Sequence, residues 1–185
     1  MLTWKAGRKS EPWTVAVAHV AGAFSDDLIR KTAQWSESRG VHIIIVDPDV
    51  CAGELHLRAA VEHAVRAFSE GRNISKYLEI EVQLYLTGKR EIRRVLRICR
   101  PKNDKAVIIA VTQLGSEQLS KTLREYLGEF KLKELEPPWS NAKHVLKVAR
   151  NLGISEREIK TVGGEIPSAV DKLAAARGVK LALST

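Results

Sequence analysis

Residues 76–88 read KYLEIEVQLYLTG, and the secondary structure assigned to them decides the fold. From Ile80 to Leu86 the side chains alternate: Ile80, Val82, Leu84 and Leu86 fall on one face, Glu81, Gln83 and Tyr85 on the other. That two-residue period predicts a strand, ended by Gly88. A strand here continues an interleaving of strands and helices along the chain. It predicts an α/β protein of mixed α+β type: a single domain over residues 1–185, with a small central sheet and helices packed around it.

Upstream, TVAVAHV (14–20) alternates like a strand. SDDLIRKTAQWSESRG (25–40) opens with Ser25 as a helix cap and closes on Gly40. VHIIIVD (41–47) is a continuously apolar strand, the pattern of burial on both faces. After the turn DPDVCAG, residues 54–68 are helical, with Leu57, Val61, Ala64, Val65 and Phe68 on one stripe and Asp49 placed as the cap. Downstream, AVIIAV (106–111) is a buried strand and SEQLSKTLREYLG (116–128) a helix. Pro137 and Pro138 break the pattern, three short helices follow in 141–153, 155–162 and 168–178, and VKLAL (179–183) reads as a last strand.

With 185 residues, 44% hydrophobic and 28% charged, the chain is large enough to bury a core. Cys51 and Cys99 stand far apart without metal-ligand spacing, so both are expected as buried thiols. No apolar signal core opens the chain, and its apolar runs are too short to span a bilayer, which predicts a soluble, cytoplasmic protein.

The charge is uneven. Of a formal net charge of +8, six units lie between Leu86 and Lys102, in LTGKREIRRVLRICRPK. Ile92, Val95, Leu96 and Cys99 at i, i+3, i+4 and i+7 predict a helix with a narrow buried stripe. Lys89, Arg90, Arg93, Arg94, Arg97 and Arg100 must then face out, and no carboxylate lies three or four residues on from the first five of them. A solvated face normally carries such partners. A nucleic-acid footprint does not, because clustered cations gain affinity by releasing counterions from phosphates.

Other chemistry is weakly encoded. Asp47 and Asp49 end a buried strand where Mg²⁺ could be held, although Asp-Pro-Asp is also ordinary turn chemistry. His56 and His63 lie seven residues apart, about 10 Å of helical rise, too far for one metal ion. VGGEIPS lacks the Lys and Ser/Thr of a phosphate-binding loop. No nucleophile with a matching base can be assembled, so no catalytic residue, metal or cofactor is expected. KVARNLGISEREIKTV (147–162) has the outline of a helix-turn-helix, with Gly153 at the turn, which leaves a DNA-binding protein as the alternative. Its second helix, however, begins with Glu156 and Glu158, the wrong charge to meet phosphates.

Several motifs in order resemble the small, TPRKB-type subunit family of the KEOPS complex. They are Asp47, Ala52-Gly53, His56-Leu57 and Ala67-Phe68, then Asn73-Ile74-Ser75, Glu81, Leu84-Tyr85, Gly88 and Arg90. The similarity is good from Asp47 to Ile92, weaker to the C-terminus, and adds nothing in the first forty residues. Arg90-Glu91-Ile92 stands where the family has Arg-Gln-Ile, and Cys51 where it has an aliphatic residue. The resemblance implies a non-catalytic subunit that docks on a kinase-like ATPase and holds the 3′ end of tRNA, in support of threonylcarbamoyladenosine modification. It implies neither a membrane nor a small-molecule substrate. On this reading the basic segment holds phosphates, Tyr77 or Tyr85 stacks on a base, and Leu181 and Leu183 of the apolar tail contribute to kinase docking.

Overall fold

The structure is a computed structural model and describes residues 1–8, 10 and 12–184. In chain order its elements are β1 (Leu2–Ala6), β2 (Trp13–Ala21), α1 (Asp26–Glu37), β3 (His42–Val46), α2 (Glu54–Ser69), α3 (Leu78–Thr87), α4 (Ile92–Cys99), β4 (Lys105–Thr112), α5 (Ser116–Glu129), β5 (Lys133–Leu135), α6 (Ala142–Leu152), α7 (Glu156–Val162) and α8 (Ile166–Leu183). The class is mixed α+β, as expected. These elements divide into two compact units, one from Met1–Pro48 and Arg100–Pro137, the other from Asp49–Cys99 and the chain from Pro138 onward. No helix among the described residues is long and apolar enough to cross a membrane.

The first unit is built on an antiparallel sheet of order β1-β2-β4-β3, with β5 pairing β2 beyond the end of β1. Alternation sorts its two faces. Ala16, Ala18 and Val20 of β2, with Ala106, Ile108 and Ala110 of β4, pack against Leu28 and Trp35 of α1 and Leu119, Leu123 and Tyr126 of α5. The alanines keep that face low, so large helix side chains can reach it. Val15, Val17, Ile44, Val107 and Ile109 on the opposite face are buried as well, which accounts for the unbroken apolar run in β3. Ser25 caps α1 as expected, its Oγ accepting from the Leu28 N–H at 3.2 Å.

The second unit is helical, and α8 packs on α2, α3, α6 and α7. Two expected strands are helices here. Residues 80–86 belong to α3, in which every residue from Glu81 to Thr87 is buried. A helix enclosed on all sides needs no polar stripe, so its sequence loses the 3.6-residue period and chance alternation imitates a strand. Glu81 and Gln83, which suggested a solvent face, lie inside. Residues 179–183 continue α8 rather than forming a strand. Gly178, which looked like a helix stop, is a contact point: a Cβ there would sit 3.0 Å from the Tyr85 carbonyl oxygen of α3.

Asp49 does not cap α2. The N-cap position is Gly53, and the capping carboxylate is Asp171 of α8, which accepts from the Leu55 and His56 N–H groups at 3.1 and 2.8 Å. A Cβ on residue 53 would fall 2.4 Å from the Asp171 Cγ, so glycine is required for space. Asp49 instead sits in a 3₁₀ turn over Pro48–Val50 and is held by α6. Lys147 Nζ lies 2.6 Å from its Oδ2, and Asn151 Nδ2 donates to its carbonyl oxygen at 3.0 Å.

Candidate nucleic-acid interface

Helix α4 is set up by the way α3 ends. Gly88 takes the left-handed conformation (φ 62°, ψ 30°) that glycine adopts without strain, and its N–H and that of Lys89 both return to the Leu84 carbonyl. After three intervening residues α4 begins at Ile92. Val95 and Cys99, one turn apart, are its buried residues, and Ile92 and Ile98 are half-buried. Leu96, expected in the buried stripe, is 42% exposed.

Arg93, Arg94 and Arg97 are exposed, and no acid among the described residues is ion-paired with them. At about 100° per residue the exposed arc runs Leu96, Arg93, Arg97, Arg94 around the helix. Their three guanidinium groups make this face cationic. The rest of the expected cluster is differently employed. Arg90 Nη1 donates to the Ser184 carbonyl at 2.9 Å and so ties down the end of α8. Lys89 is half-buried. Arg100 belongs to the sheet unit, where it pairs with Asp26 at 2.5 Å.

The tyrosines separate cleanly. Tyr77, at the N-cap of α3, is 64% exposed. Tyr85 is 1% exposed and packs against the His63 ring with centroids 5.7 Å apart, so it cannot stack on a base. The tail residues divide likewise: Leu181 is 5% exposed and belongs to the interior of its own chain, whereas Leu183 is 85% exposed.

Three of the residues that carry the family resemblance, His56, Glu81 and Asp47, make contacts that hold the fold. His56 is fully buried; its Nδ1 faces the Ala52 N–H at 3.3 Å and its Nε2 the Leu86 carbonyl at 2.9 Å. A carbonyl only accepts, so Nε2 carries the proton and Nδ1 accepts. Burial lowers the His56 pKa to about 4, against the smaller opposing effect of the Leu86 carbonyl. The Glu81 carboxylate accepts from the Ile74 and Ser75 N–H groups and fixes the loop before α3; burial raises its pKa, with those two bonds opposing. Asp47 accepts from the Lys102 N–H at 3.1 Å.

The outlined helix-turn-helix exists as a shape. Gly153 is left-handed between α6 and α7, Ile154 is buried, and Arg177 donates to the Gly153 carbonyl at 2.8 Å. Glu158 forms a capping box with Ser155 at the start of α7 and pairs with Arg177 at 3.0 Å. This end of the helix remains acidic and is occupied with its own fold.

Comparison with curated proteins gives no match. A family model described as kinase binding protein CGI-121 matches residues 24–162, well over half of the sequence, and takes in α1 together with the motif-bearing helices. The chain belongs to the CGI-121 family of kinase binding proteins.

Proposed function

We propose that this chain is a non-catalytic subunit of the KEOPS complex in the cytoplasm, which holds the single-stranded 3′ end of tRNA on α4. On this reading it also binds the kinase-like ATPase subunit, and so supports threonylcarbamoyladenosine modification carried out by other subunits. Membership of a kinase binding protein family supports the kinase partner. The observation that carries the RNA reading is the exposed arc of Arg93, Arg94 and Arg97 without paired acids. Such an arc raises the local concentration of a polyanion and gains affinity from counterion release.

Binding of intact tRNA, tRNA trimmed of its terminal nucleotides, and duplex DNA tests this reading. Reversal of Arg93, Arg94 and Arg97 to Glu is expected to weaken binding of intact tRNA by well over about tenfold. The control reverses Lys143, Lys160 and Lys172, exposed cations elsewhere in the same unit, and changes the net charge equally. Equal losses in the two variants mean bulk charge rather than a site. Equal affinity for trimmed and intact tRNA removes the 3′-end assignment, and preference for duplex DNA favours the helix pair α6–α7.

A further inference from the structure

The exposure of Leu96 gives the α4 face a second component. Around the helix, Ile92 and Leu96 form a ridge at i and i+4, and Arg93 and Arg97 form the next ridge, about 100° further round. The apolar ridge opens progressively: Ile92 is half-buried and Leu96 is 42% exposed. The two ridges run side by side, each spanning about 6 Å of helical rise. An isolated exposed leucine needs no explanation, but this one borders a cationic strip with no acid in it.

We propose that Leu96 is a base-contacting residue of this interface. Arg93 and Arg97 hold consecutive phosphates of a single strand, and Leu96 packs on the face of an unstacked base attached to them. The proposal rests on the RNA-binding reading given above and adds the part of the ligand that the arginines cannot select. In a duplex the base faces are stacked on one another and closed to a side chain, whereas an unpaired strand end offers them. An apolar residue beside the cations therefore favours single strands over duplexes, which the cations alone bind through the same phosphates. Among the large apolar side chains of α4, Leu96 is the exposed one, since Ile92 and Ile98 are half-buried and Val95 is buried.

The test uses the full chain with a short single-stranded RNA and the same strand annealed to its complement, each titrated over a range of salt. Wild type is expected to prefer the single strand. Leu96→Gln is expected to lose about fivefold in affinity for the single strand, with little change for the duplex and an unchanged salt slope. Leu96→Phe, which keeps an apolar surface and adds a ring, is expected to bind the single strand at least as well as wild type. Arg97→Ala is expected to reduce the slope of log affinity against log salt by about 0.7 on the single strand. Unchanged affinity in Leu96→Gln, or an equal loss on both RNAs, overturns the base contact while leaving the cationic interface standing. If wild type binds neither RNA, the RNA-binding reading itself fails.

Discussion

Asp171 and His56 are joined across 115 residues of sequence by a 2.8 Å bond from the His56 N–H to the Asp171 carboxylate. With the Leu55 N–H at 3.1 Å, this side chain of α8 satisfies two of the unpaired donors at the start of α2. Asp171→Ala is therefore expected to cost about 0.5–2 kcal/mol in urea unfolding, the usual range for a lost cap. Gly53→Ala, which drives a methyl group into the same carboxylate, is expected to be at least as harmful. Asp49→Ala leaves this cap untouched. Unchanged stability in Asp171→Ala would contradict the assignment of the cap.

The depressed His56 pKa makes the fold acid-sensitive in a defined window. The folded value, about 4, lies below the ordinary 6.5, so the unfolded chain takes up a proton that the folded chain refuses. Stability from this group is complete above the ordinary value and falls as pH drops between the two values, by on the order of 3 kcal/mol. Glu81 and Asp171 are shifted upward by burial, so they favour the folded state as pH falls and oppose the loss. The onset near about pH 6, above the ordinary carboxylate range, reports His56 together with His63, whose pKa burial also lowers, and His56→Gln separates the two. Urea midpoints that stay flat on entering this window, or nitrogen shifts showing a charged His56 in the folded protein there, would refute it.

Two residues with positive φ respond oppositely to a change of side chain. Lys131 (φ 53°) follows α5 in the left-handed region, while the Leu132 N–H returns to the Leu127 carbonyl at 2.8 Å. Lys131→Gly is expected to stabilise by about 1 kcal/mol, since only glycine holds that conformation freely. Gly88→Ala is expected to destabilise, because it adds a strained φ and places a Cβ 3.1 Å from the Arg177 Cβ. Thermal unfolding of the two variants gives the sign directly.

The end of α8 separates folding from partner binding. Leu181→Ala, at a buried site, is expected to cost about 2–5 kcal/mol. Leu183→Asp is expected to leave the unfolding midpoint within about 0.5 kcal/mol of wild type and, on the proposed function, to weaken binding of the purified kinase-like subunit. Full kinase affinity in a folded Leu183→Asp protein removes the tail from that interface. Truncation after Arg177 is uninformative, because it also deletes Gly178 and Leu181 from the interior.

Much of the sheet unit was legible in the sequence, for a physical reason. β2, β3 and β4 are marked by apolar runs between turn signals, and α1 by a serine cap and a terminal glycine. The three-residue strand β5 is too short to show a period. In the helical unit, α2 and α6 are half-exposed and display their stripes, whereas α3 is buried nearly all round and displays none. The role of Asp171 lay beyond local reading, because the helix it caps is far away in sequence. At the candidate interface the cations were visible as composition. Which tyrosine is accessible, and that Leu96 is open, depend on packing against neighbours that a local pattern does not name.

Helix α8 touches most of its unit yet comes last among the elements, and this order has a kinetic consequence. Helices α2 and α3 can pair early, since they are adjacent in sequence. They lack the cap and the inner packing surface until a segment more than a hundred residues downstream arrives, as the Asp171–His56 separation records. Loop-closure entropy grows only with the logarithm of length, so the separation costs little final stability. It does slow the search, since distant contacts must form before they stabilise anything. Refolding of the helical unit should therefore be limited by docking of its last helix, and Asp171→Ala should show whether the cap forms before or after that barrier. A slowed refolding rate places it before, and a faster unfolding rate places it after.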